Sequence, residues 1–552
     1  MKIVIIGSVA AGTSVAAKAR RNSEENQIVV YDCGKDISYS VCGIPYQIGG
    51  EVESIDELVP RDAAWFKRRY NVDIHKEHEV LSIDHDRRML TVKNLQTGQI
   101  VEDHYDKLVF ATGASPFIPS PFNQKDYVNL FSVRTIQDNR EINQYIEQNN
   151  PKKAVIVGSG FIGLEMAEQL TNKGIDVTIV ELGNQVMASM DRDMAYRVET
   201  YLAEKKIKLL LNDSIKKIEG KAKIESLITH NGQQLVTDMV FLAVGVRPNT
   251  QLATEIGVEL GPTKAIKVDP TMQTNLEDVY AVGDVAESFS VITGKAIYRP
   301  MGSTANKMGR IAGEALSGGT LTHRGVLGTG IFRIFDLHVG QTGLTEKEAK
   351  SEGIDYETLY NLKPNRATYL GGKEMVIKAI ANRADRTLLG VQIVGFEGVD
   401  KRIDVFATAI TFGAKVEDLF HLDLAYSPVF STTKDPVMYT GMVLENAMND
   451  RPLITAEKLI ALQKQGISIQ IIDARAEKDY LKSHVDQATH IPLSHLRERL
   501  GELDKSVMTI TYCNKGVTGN AAQNILINHG FEQVYNLSGG NKTYQLFKEL
   551  SE

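Results

Sequence analysis

The chain opens on a short apolar run, KIVII at residues 2–6, which passes into Gly7 and Gly12 and then into the Ala-rich SVAAKARR. An unbroken apolar run of this length, bounded by glycine, predicts a buried parallel strand with a helix after it. The next run, IVVYD, ends at Asp32, about twenty residues past Gly12, the spacing at which a dinucleotide-binding unit sets an acid on a ribose hydroxyl. The same order returns at AVIVG, with Gly158, Gly160 and Gly163, a helix through Glu165 and Met166, and the strand DVTIVE ending at Glu181. This second copy carries the full G-x-G-x-x-G: Gly158 for the tight turn, Gly160 for close approach of a pyrophosphate, Gly163 for packing of helix on strand. The first copy has Val9 at the middle position.

Two such units in one chain predict two dinucleotides held by two domains. YDKLVFATGASP ends a strand at Thr112 and Gly113, and DVYAVGDVAE carries Gly283 and Asp284; both are expected to belong to the first domain. That domain is therefore interrupted, with residues 1–110 and 245–320 building it and residues 111–244 forming the second dinucleotide domain between them. Residues 325–445 lack a Gly-rich nucleotide turn and alternate the strands TGIFRIF and TLLGVQIVGF with the helix DKRIDVFATAITFGA, a pattern suited to an interface domain. The final stretch, 455–552, is long enough for one small α/β unit.

The 552 residues suit three or four domains at roughly 150 residues each. With 43% hydrophobic and 24% charged residues, the composition is that of a globular protein and excludes collagen-like or disordered classes. A net charge of -7 without a basic block argues against nucleic acid, and the apolar runs are too short for a signal peptide or a membrane span. A cytoplasmic protein without nucleic-acid or membrane partners is expected, and no metal site.

Three cysteines are too few for a disulfide framework, so each is employed singly. Cys42 lies in SYSVCGIPY, with Pro45 suited to the first turn of a helix; a thiol there is expected to have a lowered pKa. It has no second cysteine two to five residues away, so its oxidised partner is a sulfenic acid, a mixed disulfide with a small thiol, or a persulfide. Cys33 follows Asp32 at a strand end and reads as structural. Cys513 ends the strand TITYC and opens Cys513-Asn514-Lys515-Gly516-Val517-Thr518-Gly519, a strand-loop-helix turn whose amides can cradle a persulfide. Arg20, Arg21, Lys67, Arg68 and Arg69, with Trp65, offer a clamp for a phosphate-bearing ligand beside Cys42.

Ser38 to Tyr46, with the two dinucleotide turns around it, resembles the coenzyme A disulfide reductases of the single-cysteine flavoprotein disulfide reductase family, over about the first 445 residues. The remainder resembles the rhodanese domain of fused members: Asp473, Arg475, His490, Ile491 and Pro492 fit its Asp-x-Arg and His-Ile-Pro elements, Cys513 its nucleophile, and NLSGG its closing turn. The resemblance implies an α/β fold with two Rossmann-like domains for FAD and NAD(P)H, an α+β dimerisation domain, a C-terminal α/β rhodanese domain, and a homodimer. It implies catalytic roles for Cys42, Cys513, Tyr369 and Tyr426. It sets FAD on Gly7, Ala10, Ala11, Gly12, Asp32, Thr112, Gly113, Gly283 and Asp284, with Tyr426 arriving from the partner subunit. Gly158, Gly160, Gly163 and Glu181 would hold NADH or NADPH; Leu182-Gly183-Asn184 after Glu181 offers no cation for a 2'-phosphate and favours NADH. Coenzyme A, as substrate or bound ligand, is implied at Ser14, Lys18, Arg21, Ser38, Val41, Asn306 and Lys434.

The sequence departs from the family in places. Leu370 replaces the second Tyr of a Tyr-Tyr-Pro-Gly element that begins at Tyr369, and Arg366 stands where relatives often have His. Thr518 replaces an Arg that helps hold an anionic sulfur donor, which argues against thiosulfate and leaves neutral or protein-delivered sulfane sulfur. The implied activity is NAD(P)H-dependent reduction of coenzyme A persulfide, coenzyme A disulfide or polysulfide, coupled to rhodanese sulfur handling. Two alternatives stay open: an NADH oxidase or peroxidase cycling Cys42 through a sulfenic acid, and a flavin-based redox or sulfur sensor. Members of the oxidase class usually carry His where this chain has Ala10.

Overall fold

A computed structural model describes residues 1–551. The chain forms two compact units, Met1–Asn184 with Lys206–Val326, and Gln185–Lys205 with the chain from Leu327 onward.

In the first unit the apolar runs pair in parallel. Lys2–Ile6 lies between Gln27–Asp32 and Lys107–Phe110, with Asp73–Lys76 and Val279–Ala281 at the edges. Ile3, Val4 and Ile5 are wholly buried, as a central parallel strand covered on both faces requires. Lys153–Val157 holds the same place in a second sheet, between Asp176–Val180 and Met239–Leu242, with Lys208–Leu210 and Leu130–Ser132 outside. Each central strand turns directly into a helix, Ala11–Asn22 and Phe161–Asn172, at the carboxyl end of its sheet, where α/β folds bind ligands.

Helix Ala11–Asn22 packs on helix Gly302–Ala315 with almost nothing between the backbones. A Cβ at Gly309 would lie 2.5 Å from the Ala11 carbonyl oxygen, and one at Gly313 2.8 Å from that of Val15. Glycine is required by this close approach, which brings Ser14 Oγ within 2.6 Å of Asn306 Oδ1.

The second unit holds an antiparallel sheet in the order Gly330–Ile334, Leu337–Gly343, Leu388–Gly395, Glu374–Asn382, Tyr356–Pro364. Helix Val399–Thr411 covers its middle, and helix Pro436–Met448 lies on the Tyr356–Pro364 strand. A parallel sheet follows, ordered Leu453–Ile454, Val534–Leu537, Thr509–Tyr512, Gln470–Asp473, Thr489–His490. Tyr356–Pro364 is an edge strand, and the Tyr360 N–H donates to Ser538 Oγ at 2.8 Å, so the terminal domain covers an edge that would otherwise be open.

Beneath that sheet the Lys378 ammonium is buried among three carboxylates, Asp191 at 3.0 Å, Asp193 at 2.8 Å and Glu346 at 2.7 Å. Buried charges are tolerated when paired, and removing one partner leaves the others uncompensated. Lys378→Met should lower the unfolding free energy of this unit by about 3–5 kcal/mol, read as a lower midpoint in denaturant unfolding. An unchanged midpoint would show that the carboxylates find other partners.

Candidate active site

Both strand-to-helix turns are too tight for a side chain. Gly7 has φ +97°, and a Cβ there would lie 2.2 Å from the Ala111 carbonyl oxygen; Gly158, at φ +102°, would meet that of Ala243 at 2.4 Å. Gly12 and Gly163 face the same limit against the carbonyl oxygens of Gly7 and Gly158, at 2.0 and 2.3 Å. Gly160 differs, because nothing lies within 4 Å of where its Cβ would be. That space is the pyrophosphate approach expected of the middle glycine. Val9, in the corresponding stretch of the first turn, takes φ +35°, a left-handed conformation that β-branched residues seldom adopt.

The acids after each turn are held alike. Asp32 Oδ2 accepts from the N–H and hydroxyl of Ser8, and Asp32 Oδ1 from the Gly34 N–H at 2.7 Å. Glu181 Oε2 accepts from the N–H and hydroxyl of Ser159 at 2.9 and 2.6 Å, and Oε1 from the Gly183 N–H at 2.8 Å. Ala10 and Gly160 stand at the two helix N-caps, and neither helix has a side-chain cap. Their first-turn amides are left for an anion, and the residues present fit two dinucleotides.

Gly113 and Asp284 meet at Arg134, whose Nη2 lies 2.7 Å from Asp284 Oδ2 and 3.6 Å from where a Gly113 Cβ would stand. Tyr298 donates its hydroxyl to the Asp284 carbonyl at 2.8 Å, and Thr112 Oγ1 donates to that of Asn249 at 2.8 Å. Gly283 takes φ +77°, and a Cβ on it would come within 2.8 Å of the Ala11 Cβ. Arg134 carries no motif and sequence reasoning missed it; only its place in the turn before the helix Ile136–Asn149 hints at a role.

Cys42 lies in a single 3₁₀ turn, Val41–Gly43, that leads into the helix Ile44–Gly49. The expected lowering of its pKa is not found. Burial of the sulfur pushes the thiol up, the Glu165 carboxylate adds to this, Arg134 opposes it, and Asp284 raises it again. The helix after Cys42 has only six residues, too short for its dipole to outweigh two carboxylates. Glu165 is itself held by the Tyr46 hydroxyl at 3.0 Å. It stands beside the third glycine of the second turn, so the sequence signal was in view, but its reach to Cys42 is not readable from spacing.

A cleft of about 530 Å³ opens between the first turn and the segment Ala63–Tyr70. Ala10, Ser14, Arg21, Ser38 and Asn306 line it, as do Arg61 and Arg310, which the sequence did not single out. The cations lie over aromatic faces: Arg61 is 4.9 Å from the Trp65 ring centre, and Arg21 is 5.9 Å from that of Tyr70. Arg20 is not part of the clamp expected here. It is 3% exposed, and its guanidinium donates to the backbone carbonyls of Tyr70, Ser23, Glu24, Asn26 and Asn71. Its work is to close loop ends. Lys18 is bound to Glu314 at 2.5 Å, and Lys67 to Asp73 at 2.8 Å.

Tyr369, Tyr426 and Lys434 belong to the second unit and are exposed, Tyr369 by 78% and Tyr426 by 52%. Arg366 and Tyr426 line a cleft of about 510 Å³ with Phe430, and Arg366 pairs with Glu397 at 3.1 Å. In the terminal sheet Cys513 is buried at 6% exposure, and the Gly516 N–H donates to its Sγ at 3.2 Å. Arg475 holds the loop: it pairs with Asp473 and donates to Asn514 Oδ1 at 2.8 Å, while the Asn541 N–H donates to the Cys513 carbonyl at 2.8 Å. Thr518 lies in the first turn of the helix Val517–Asn528. Cys33 is exposed, and all three cysteines are free.

Residues 1–306 match the pyridine nucleotide-disulphide oxidoreductase family, residues 331–436 its dimerisation domain, and residues 455–546 a rhodanese-like domain. The chain belongs to the pyridine nucleotide-disulphide oxidoreductase family. This oxidoreductase is 40% identical to an NADH oxidase of Methanocaldococcus jannaschii, over 79% of this chain and 97% of that one. It is 37% identical to a CoA-dependent NAD(P)H sulfur oxidoreductase of Pyrococcus furiosus, over 80% of this chain and 99% of that one. Among solved structures, reduced Bacillus anthracis CoADR-RHD superposes with a TM-score of 0.96 at 34% identity, covering 99% of this chain and 98% of that one. The oxidoreductase thus has the fold the sequence implied, with FAD and NAD(P)H as the cofactors of its family. Among the described residues no helix is long and apolar enough to cross a membrane.

Since Glu165 raises the Cys42 pKa, Glu165→Gln should lower the pH of half-maximal alkylation of Cys42, read by peptide mass spectrometry after timed iodoacetamide treatment. An unmoved profile would assign the raised pKa to burial alone.

Proposed function

We propose that this oxidoreductase uses NADH to reduce sulfur bonded to coenzyme A, as persulfide or disulfide, through Cys42 alone. The observation that carries this reading is that Cys42 is free, with no second cysteine beside it in sequence, and comes two residues after Ser40, which with Ser38 and Tyr39 lines a cleft of arginines and aromatic rings, in a unit that holds two dinucleotide cradles. An internal redox disulfide is not available to it, so its sulfur partner arrives on a diffusible molecule. The bound dinucleotides supply hydride transfer and a two-electron reduction of sulfur.

The chain's own residues do the rest. Gly7, Ala10, Ala11, Gly12, Asp32, Thr112, Gly113, Gly283 and Asp284 would hold FAD, and Gly158, Gly160, Gly163 and Glu181 the nicotinamide dinucleotide. Glu181 is ringed by donors from its own backbone, and Leu182 beside it is 75% exposed with no cation adjacent in sequence, which supports NADH. Arg21, Arg61 and Arg310 offer charge-assisted contacts to the phosphates of coenzyme A, and Ser14, Ser38 and Asn306 line the same cleft. Val41 lies outside its lining and would be reached only by the thiol end of the ligand. When the Cys42 thiolate attacks the outer sulfur of a persulfide R–S–SH, a new S–S bond forms at Cys42, the S–S bond of the persulfide breaks, and R–SH leaves with the proton, so that Cys42 carries an anionic persulfide. Two electrons and one proton then release the outer sulfur as hydrosulfide and restore the thiolate.

Tyr369, Tyr426 and Lys434 would complete the site from the partner subunit of a homodimer. The exposed Tyr369, Phe412, Val429 and Phe430 support such an interface. Chain division at 1–110 with 245–320, 111–244, 325–445 and 455–552 serves this assembly. Cys513 would pass sulfane sulfur to coenzyme A. The oxidase reading draws on the Methanocaldococcus jannaschii relative, but a second sulfur site at Cys513 has no use in it.

Anaerobic NADH oxidation with coenzyme A persulfide, coenzyme A disulfide and peroxide separates these readings. Cys42→Ser should lose about 10³-fold or more in turnover with both sulfur substrates, while Cys513→Ser keeps coenzyme A disulfide turnover. Full turnover in Cys42→Ser, or peroxide as the best substrate, would reject the reading. In the same assay kcat/KM for NADH should exceed that for NADPH by about tenfold or more; a preference for NADPH would place a cation at the 2'-phosphate that Glu181 does not predict.

A further inference from the structure

Tyr369 and Tyr426 stand on two exposed segments that have almost no apolar anchor. The first is the hairpin loop 365–373 between the strands Tyr356–Pro364 and Glu374–Asn382, and among its described residues Asn365 alone is buried. The second runs over 421–435 ahead of the helix Pro436–Met448, and among its described residues only Ser431 and Asp435 are buried. Segments with so little burial open locally at small cost, so a side chain they carry is placed no better than its anchors are.

All three anchors are polar, and all three bind one guanidinium. Arg402, 1% exposed on the helix Val399–Thr411, donates from Nη2 to the Asn365 carbonyl at 2.8 Å, to Ser431 Oγ at 3.3 Å and to Asp435 Oδ2 at 2.8 Å. Its Nε donates to Asp435 Oδ1 at 3.3 Å, and its Nη1 to the Gly398 carbonyl at 3.1 Å. Each anchor passes the constraint on. The Lys373 N–H donates to Asn365 Oδ1 at 2.8 Å and the Asn365 N–H to the Lys373 carbonyl at 2.9 Å, which closes the Tyr369 loop. Ser431 donates its hydroxyl to Asp435 Oδ2 at 2.6 Å and its N–H to the carbonyl of Ser427, the residue after Tyr426, at 2.9 Å. The segments also meet directly, the Ala367 N–H donating to the Pro428 carbonyl at 3.3 Å. Burial pushes the Asp435 carboxyl up, yet the bonds from Arg402 and Ser431 hold it below the usual carboxylate range, so the pair stays charged. Such a pair adds little stability over apolar residues of the same shape; what the planar fork fixes is direction.

We propose that Arg402 is the positioning residue for Tyr369 and Tyr426, fixing both tyrosine-bearing segments from one buried point. This role rests on the reading that the hydroxyls of the two tyrosines act in the sulfur site, and a double-mutant cycle separates the two. If Arg402 acts through the tyrosines, its loss costs turnover only while they are present. A residue that merely supports the fold costs the same with or without them.

Full-length holoenzyme is assayed for NADH-dependent reduction of coenzyme A disulfide in wild type, Arg402→Lys, Ser431→Ala, the double variant Tyr369→Phe/Tyr426→Phe, and each of the first two changes on that double background. Amide hydrogen exchange is followed on peptides covering 365–373 and 421–435. Arg402→Lys keeps a positive charge, and Lys401, 4.0 Å from Asp435, helps to neutralise that carboxylate. Ser431→Ala removes one hydroxyl and no charge, so the test does not depend on the fold tolerating the first change. Arg402→Lys should lower kcat/KM by about tenfold or more and Ser431→Ala by about threefold, with faster exchange in both segments for the first. On the double tyrosine background each should cost less than about twofold. Wild-type turnover in Tyr369→Phe/Tyr426→Phe would remove the reading that the tyrosine hydroxyls act. Turnover lost in that double variant but kept in Arg402→Lys and Ser431→Ala, or lost in these by the same factor on both backgrounds, would overturn the role of Arg402 alone.

Discussion

Much of the first unit follows from one steric constraint: two strands turn into helices in a space that admits no Cβ. At Gly7 and Gly158 the chain runs in the left-handed region against the carbonyl oxygens of Ala111 and Ala243. The turn sets the helix N-terminus over the carboxyl end of the sheet, with no side chain in the way of its amides. It also fixes the acid of the following strand, since Ser8 and Ser159, the residues after these glycines, hold Asp32 and Glu181 with the same pair of donors. The two copies are thus one solution to one problem. They differ at the middle position, where Gly160 leaves open space and Val9 accepts a strained backbone.

The elements of that solution were legible in the sequence because each has a short-range signature. A glycine at a fixed spacing after an apolar run reports a turn, and an acid at a strand end reports its own place. The flaw in the sequence reading at Arg20 shows where such signatures stop. A run of basic residues after a helix looks like a solvated clamp, but Arg20 turns inward and satisfies five carbonyl groups, a fate decided by loops far along the chain such as Tyr70 and Asn71. Arg134 and Glu165 were hidden for the same reason. Their partners, Asp284 and the Cys42 sulfur, lie more than a hundred residues away, and no local pattern marks the meeting.

The second unit shows the limit at the level of domains. The Cys513 turn was readable from its strand-loop-helix order, and Asp473 and Arg475 joined it only through the resemblance to a rhodanese domain. That the dimerisation sheet lends its edge strand to the terminal domain was not readable. The bond from Tyr360 to Ser538, 178 residues on, and the shared carboxylate of Glu374, 168 residues before Lys542, join segments far apart in the chain. An edge strand is a hazard when bare, and covering it with the terminal domain protects the sheet, while Glu374 ties that domain down through Lys515 and Lys542.

The electrostatics of Cys42 bear on which of its states is favoured. Burial, Glu165 and Asp284 all disfavour a free thiolate, and only Arg134 opposes them. In a mixed disulfide neither sulfur carries a charge, so the same groups cost that state nothing. On the proposed reading, the site therefore disfavours the released thiolate relative to the bonded form, and reduction must work against that preference. A cofactor able to deliver two electrons meets that demand, whereas a thiol exchange alone does not. An oxidase route through a sulfenic acid would gain from the same neutrality, so the raised thiol pKa does not choose between them. The choice comes instead from the cleft, where arginines over aromatic rings suit the phosphates of a large thiol and serve no purpose for peroxide.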